Sequence, residues 1–197
     1  MLNEHSRWLE SIGEDGIQLA LPGADLSGVD LSGRDLSEAY LGGTILDDAL
    51  LVGADLGGAF LVAASLVRAN LEGAHLAKAN LDQVRARDAR FRSANLLRCE
   101  FYGADLRGAV LDGAAMLKTS FHGADLRSCS LRDVHFDRTS FDDATFGVND
   151  AMGAEGTIHR ANAFIETADG IVPATAEEVL AFLRAAGGTG VSFVDPA

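Results

Sequence analysis

Residues Gly23 to Leu41 read GADLSGVDLSGRDLSEAYL, and Leu26, Leu31, Leu36 and Leu41 fall at every fifth position of that stretch. A helix repeats its buried face at i, i+3, i+4 and i+7, and a strand at every second residue. Neither period is five, so the interval belongs to a unit larger than either element.

The count runs from Leu21 to Phe146 without a change of register. Its 26 positions hold 18 Leu, six Phe, Met116 and Ala86. Two residues before each of these, the 25 positions from Ala24 to Ala144 hold 16 Ala, three Val, three Thr, two Cys and Arg34. A large and a small inward residue are thus fixed in every unit, and the second residue after the large one is often Gly. Five residues cannot bury their own Leu, so units must stack, which defines a solenoid. If each unit forms one side of a four-sided coil, residues 20 apart lie one above another. Basic residues two positions after a central residue, Arg68, Lys78, Arg98, Lys118 and Arg138, include four at that spacing, and Arg87, Arg107 and Arg127 form a second such row. About six and a half coils at roughly 4.8 Å each give a rod on the order of 30 Å long.

The units Ala24-Asp25-Leu26-Ser27-Gly28, Ala54-Asp55-Leu56-Gly57-Gly58, Ala104-Asp105-Leu106-Arg107-Gly108 and Ala124-Asp125-Leu126-Arg127-Ser128 resemble the A(D/N)LXX repeats of the pentapeptide repeat family. The resemblance implies an all-β fold, a right-handed quadrilateral β-helix with the central and Ala positions pointing inward. Three regions are expected: an N-terminal cap over 1–19, the β-helix over 20–149, and a helix-containing cap or dimerisation segment over 150–197.

At the N-terminus, MLNEHSRWLESIGEDG is charged throughout and lacks the apolar core of a signal peptide. No run of 18 apolar residues occurs in the chain, so a membrane-free, cytoplasmic domain is expected. The segment suits a short amphipathic helix whose Trp8, Leu9 and Ile12 cover the open first coil, an edge that would otherwise invite aggregation. After Phe146 the rhythm of five ends. In IVPATAEEVLAFLRAAGG, Thr175 and Glu178 have capping-box spacing and Gly187 is a stop, which predicts one helix over about residues 176–186. TIHRANAFIE and GVSFVD read as short strands. The helix's apolar side, Val179, Leu180, Phe182 and Leu183, needs burial against the last coil or against a second copy of the chain, and a homodimer is favoured.

Cys99 and Cys129 both occupy small inward positions one and a half coils apart, so buried thiols and no disulfide are expected. His5, His75, His122, His135 and His159 form no close ligand pair, His75 and His135 are expected in solvent, and no nucleophile-elbow or phosphate-loop motif occurs. The reading is a non-catalytic protein without cofactor or metal. At Val84-Arg85-Ala86 the central residue shrinks while its small neighbour grows, which conserves volume in part.

The formal charge of −13 is unevenly spread. Residues 1–19 carry −3, residues 20–67 carry −6, residues 68–98 carry +4, residues 99–149 carry −3 and residues 150–197 carry −5. The resemblance implies a function for the acidic part: several family members mimic duplex DNA and bind type II topoisomerases, DNA gyrase or topoisomerase IV, some protecting them from inhibitors. Charge complementarity supplies the physics. On this reading Asp25, Asp30, Asp35 and Asp55 face the partner. The basic middle, with Arg87, Arg107 and Arg127, has the opposite sign. Direct nucleic-acid binding is not expected from it, because Asp105 and Asp125 stand beside Arg107 and Arg127 and can pair with them. The alternative is a generic interaction scaffold or immunity-like binding protein unrelated to topoisomerases, using the outward aromatics Tyr40, Phe60 and Tyr102, with Val62 and His122 near them.

Overall fold

The computed structural model describes residues 1–193. Its organising element is a tight turn. Three residues after most central residues, a backbone N–H donates to the central carbonyl, as from Ala24 to Leu21 and from Ala54 to Leu51, both at 3.1 Å. The residue two after the centre has positive φ, +68° at Gly23 and +62° at Gly53. This is the geometry of a type II turn, whose third residue is left-handed and therefore favours Gly.

Between turns the chain is straight and pairs in parallel with the coil above. The residue before each centre bridges its counterpart 20 positions on, from Ala20↔Tyr40 to Ser130↔Asp150. Leu26 N–H donates to the Ile45 carbonyl at 2.7 Å and Ile45 N–H to the Ala24 carbonyl at 2.8 Å. Four units of five close one coil, and the chain is a quadrilateral β-helix. Toward its C-terminal end the walls lengthen into regular strands: β1 (Ala115–Leu117), β2 (His135–Ser140), β3 (Thr145–Phe146), β4 (Glu155–Arg160), β5 (Ala163–Thr167), β6 (Gly170–Ala174) and β7 (Gly190–Phe193). β1, β2, β4 and β7 form one sheet, and β3, β5 and β6 another.

The interior is filled by the two positions read from the sequence, and Leu36 to Phe146 at the centres are buried throughout. Ala86 and Val84 are both buried, and the same coil carries Phe91 where its column holds Leu51, Leu71 and Leu111, so volume is restored at two places. Phe101, Phe121 and Phe141 occupy one column, with ring centroids 5.0 and 5.3 Å apart and interplanar angles of 12° and 10°. The coil spacing of about 4.8 Å imposes that parallel stack.

The buried Thr and Cys at the small inward positions follow one rule, and Arg34, the other polar residue at that place in the repeat, is exposed. Thr44, Cys99, Thr119, Cys129 and Thr139 each donate to the carbonyl 23 residues earlier, at Leu21, Leu76, Leu96, Leu106 and Met116. Each buried donor is thereby satisfied. Both cysteines are free and buried. Burial pushes the Cys99 thiol up to about 12 and raises Cys129 as well. Because the thiolate is the nucleophile, neither cysteine of the folded protein should react with iodoacetamide at pH 8. Both should react once the chain is unfolded, and mass spectrometry distinguishes the two results.

The ends depart from the sequence reading in three respects. Helix α1 (Leu2–Glu10) forms as expected, but it is held through other residues. Leu2 packs on the core, His5 is fully buried and accepts the Leu19 N–H on Nδ1 at 3.0 Å, and the Glu4 carbonyl accepts the Ile17 N–H at 3.1 Å. Ile12 is 93% exposed, because the helix ends before it and the residue turns at φ +57°. Trp8 and Leu9 are half-buried.

Second, stacking continues past residue 149. β2 pairs with β4 in parallel from His135↔Glu155 to Ser140↔Arg160, with register shifts on either side of Thr139↔Ile158. The rhythm is lost to the eye because the centres have become Ala151, Gly156 and Ala161. Third, the room vacated there goes to the cap. Helix α2 (Ala176–Ala185) carries the full Thr175/Glu178 capping box, and the turn after it contains Gly187 at φ +102°. Its Val179 and Leu183 are fully buried within the single chain, Leu180 and Phe182 are half-buried, and the Phe182 ring lies 5.9 Å from Phe146. The last coil thus takes up Val179 and Leu183 from the side expected to meet a second copy and leaves Leu180 and Phe182 half-buried. β7 then adds in parallel to β4. The segment read as GVSFVD is strand through Phe193, and Val194 and Asp195 lie outside the described residues.

Candidate partner-binding surfaces

A β-helix offers flat walls and corners, so its candidate sites are columns of side chains 20 residues apart. The residue before each centre stands at the middle of a wall and points outward. Asp25 heads the column of Ile45, Ser65 and Arg85; Asp30 that of Leu50, Asn70 and Arg90; Asp35 that of Asp55, His75 and Asn95. The four candidate aspartates therefore occupy three walls, and Asp35 and Asp55 alone among them share one. They form an acidic collar around the first coils rather than a single acidic face.

These carboxylates have a second task that the charge reading missed. Asp25 accepts the backbone N–H of Ser27 at 3.0 Å, Asp30 that of Ser32 at 3.0 Å, Asp35 that of Ser37 at 3.1 Å and Asp55 that of Gly57 at 2.9 Å. Asn70, Asn80 and Asn95 make the same bond to Glu72, Asp82 and Leu97. The Asp or Asn of each unit thus secures the turn that follows it, an Asx-type local bond. The hydroxyl and backbone N–H of Ser27 hold the Asp25 carboxyl below its ordinary range, and the Ser32 backbone N–H and hydroxyl do the same for Asp30.

The outward aromatics form two separate pairs. Tyr40 and Phe60 bridge, with ring centroids 5.6 Å apart, and are 52% and 40% exposed; the Phe60 ring also covers Gly42. Tyr102 and His122 lie in the neighbouring column that includes Val62 and stack at 5.3 Å and 12°. Asn80 and Asp82 stand between the pairs.

The Arg87, Arg107 and Arg127 row is neutralised. Arg87 Nε lies 2.5 Å from Asp105, Arg107 Nε 2.8 Å from Asp105 and 3.4 Å from Asp125, and Arg127 2.6 Å from Asp125 and 3.1 Å from Glu166. The Asp125 hydrogen bond is the main cause that raises Arg127 above the ordinary guanidinium range. Elsewhere in the basic middle, Arg90 approaches Glu72 at 3.9 Å and Arg92 meets Asp112 at 2.9 Å. Sequence separations of 18 and 20 recur in these pairs, so the coil length, once known, would have revealed several of them.

Stacked five-residue units with a turn-securing Asp or Asn, a central Leu or Phe and a small inward residue place this rod among the parallel β-helices built from short tandem repeats. The sequence matches "Pentapeptide repeats (8 copies)" over residues 24–61 and 64–99 and "Pentapeptide repeats (9 copies)" over residues 96–147. The chain belongs to the pentapeptide repeat family. No curated protein matches it. Among solved structures it is similar to HetL, a pentapeptide repeat protein involved in heterocyst differentiation regulation from the cyanobacterium Nostoc sp. strain PCC 7120. Identity is 25%, over 82% of this chain and 80% of that one, with a TM-score of 0.33. It is similar also to full-length QnrB1, a plasmid-mediated fluoroquinolone resistance protein, at 17% identity over 91% and 92% of the chains and a TM-score of 0.30. These likenesses carry no argument about a partner.

Proposed function

We propose that the protein is a non-catalytic, cytoplasmic binding rod whose acidic N-terminal coils engage a basic protein surface. The specific partner proposed is a type II topoisomerase, DNA gyrase or topoisomerase IV, engaged by mimicry of DNA and thereby modulated or protected from inhibitors. The observation that carries the reading is the acidic collar: residues 20–67 hold seven acids against one base, and Asp25, Asp30, Asp35 and Asp55 are fixed in direction by their own turns. A pre-oriented array of charge loses little side-chain freedom when it meets its complement. Pairing within the Arg87, Arg107 and Arg127 row removes part of the opposing field.

The turn bond supplies a clean test. Asn accepts the same N–H elsewhere in the rod, so the combined variant Asp25→Asn, Asp30→Asn, Asp35→Asn and Asp55→Asn removes four charges and keeps the turns. Binding to purified gyrase at low salt, with supercoiling and inhibitor sensitivity as functional readouts, is expected to weaken by roughly tenfold in this variant and to fall with added salt. Arg87→Gln with Arg107→Gln should leave binding intact or strengthen it. The opposite ordering, or no topoisomerase binding at low salt, rejects mimicry in favour of another protein partner.

A further inference from the structure

Among the described residues, nine of the sixteen Lys and Arg side chains lie within 4.0 Å of a carboxylate: Arg7, Arg68, Arg87, Arg90, Arg92, Arg107, Arg127, Arg132 and Arg160. Among the described residues the other seven have no such partner, and four of those seven stand in one corner column. They are Lys78, Arg98, Lys118 and Arg138, all exposed. Their backbones are locked in register, since Lys78 N–H donates to the Leu97 carbonyl at 2.7 Å, Arg98 N–H to Leu117 at 2.8 Å and Lys118 N–H to Asp137 at 2.6 Å. All four sit at the left-handed turn position, at φ +64°, +55°, +55° and +52°. Gly suits that conformation better than any long side chain does, yet the column carries four successive cations.

The ladder has defined ends and a defined neighbour. The position 20 residues before Lys78 is Gly58 and the next is Glu38, while beyond Arg138 the register shifts and the buried Ile158 pairs with the inward Thr139. Glu100 and Asp137 flank the column without coming within 4.0 Å of its charges. Immediately beside it run Ala77, Leu97 and Leu117, the last 36% exposed. Four cations one coil apart span about 14 Å, with an apolar row along one side.

We infer that this corner is a second binding site, separate from the acidic collar, which accepts an acidic amphipathic helix of a partner protein. The spacing selects the helix. Acids at i, i+4, i+7 and i+11 on a helix span about 16 Å, whereas four acids on one face of an extended strand span about 20 Å. An apolar stripe beside the acids would lie on Leu97 and Leu117, and burial there adds what exposed charge pairs alone do not supply. A nucleic acid strand has no such natural limit. Extended along the rod it would meet residues 20–67, with their charge of −6, which repels a polyanion.

The test uses the full chain and a fluorescently labelled synthetic helical peptide bearing Glu at i, i+4, i+7 and i+11 beside a stripe of Leu. Anisotropy at low salt should report saturable binding that weakens on adding salt. Glu38 occupies this same column at φ +57°, so Arg98→Glu with Lys118→Glu suits the turn, and it should weaken binding at least about tenfold. Leu97→Ser should weaken it by a smaller factor. Arg92→Glu with Arg132→Glu changes the net charge equally at another corner and should have little effect, with circular dichroism and thermal unfolding confirming the fold of each variant. Equal loss in both double variants would reduce the site to long-range charge and overturn the proposal. So would equal binding by a composition-matched peptide with its Glu scattered around the helix, or stronger binding by a single-stranded oligonucleotide.

Discussion

Leu71→Asp and Leu106→Asp should each leave no soluble, cooperatively folding protein. Both leucines are fully buried in the stacked core. The buried Thr and Cys at the small inward positions each match their donor to one carbonyl 23 residues back, and a carboxylate brings acceptors rather than donors. The group must either stay ionised without a partner or take up a proton at the expense of a raised pKa. The lost apolar contact and the cavity add about 2–5 kcal/mol to that cost, against a total stability of about 5–15 kcal/mol for a domain. Expression in the soluble fraction, followed by circular dichroism against urea, reads the outcome. Cooperative unfolding by both variants would remove the assignment of the central positions to the interior.

That assignment was legible from the sequence because a solenoid repeats its physics. Every coil solves the same packing problem, so a large residue at each centre and a small one two before it recur until they can be counted. The coil length of 20 followed from four units to a coil and from the 20-residue spacing of the basic rows, and the bridges from Ala20↔Tyr40 onward obey it. The caps are solved once each, and the sequence offers no second copy to compare. His5, the buried anchor of α1, is a single polar residue in a charged stretch and carries no periodic mark. The last coil was hidden for a related reason: once α2 supplies the bulk through Val179 and Leu183, the centres Ala151, Gly156 and Ala161 no longer look like centres.

The surface was legible in sign but not in arrangement. Asp25, Asp30 and Asp35 look like one acidic run when read along the chain, yet successive units turn a corner, so neighbours in sequence face different walls. Their position before each centre also serves the turn, and the same residue type answers both the need for an acceptor and the suggestion of a charged interface. Basic residues divide on the same geometry. Arg107 and Arg127 are first residues of their turns, beside the wall residues Asp105 and Asp125, and are paired, whereas Arg98 is the second residue of its turn and Lys118 the equivalent residue one coil on, and among the described residues neither has a carboxylate within 4.0 Å. Basic residues at adjacent turn positions thus belong to a neutralised row in one case and a charged edge in the other.

Gly156→Ala should destabilise the C-terminal end by on the order of 3–5 kcal/mol, an effect that position in the repeat does not foretell. A β-carbon at Gly156 would stand 1.8 Å from the Phe136 carbonyl oxygen and 2.8 Å from its carbonyl carbon, and the residue has φ +109°. Both obstacles are backbone, so no rotamer change relieves them. Gly156 lies between β2 and β7, opposite Phe136 and Val191, and moving it breaks both pairings together. Repeat proteins unfold in proportion to their nearest-neighbour contacts, so the first coils should survive while β4, β7 and α2 open as a unit and expose Val179 and Leu183. The expected result is early proteolytic cleavage within residues 155–190, with a protected N-terminal fragment, and a first unfolding transition absent from the parent protein. Gly57→Ser is the contrast: Gly57 is not at positive φ, and a β-carbon there meets the Asp55 carboxylate at 3.1 Å and the Ala77 carbonyl at 3.8 Å. It should cost under about 1 kcal/mol. Equal stability of the Gly156→Ala protein and its parent would mean that β4 does not make the close approach to β2 on which the end of the rod depends.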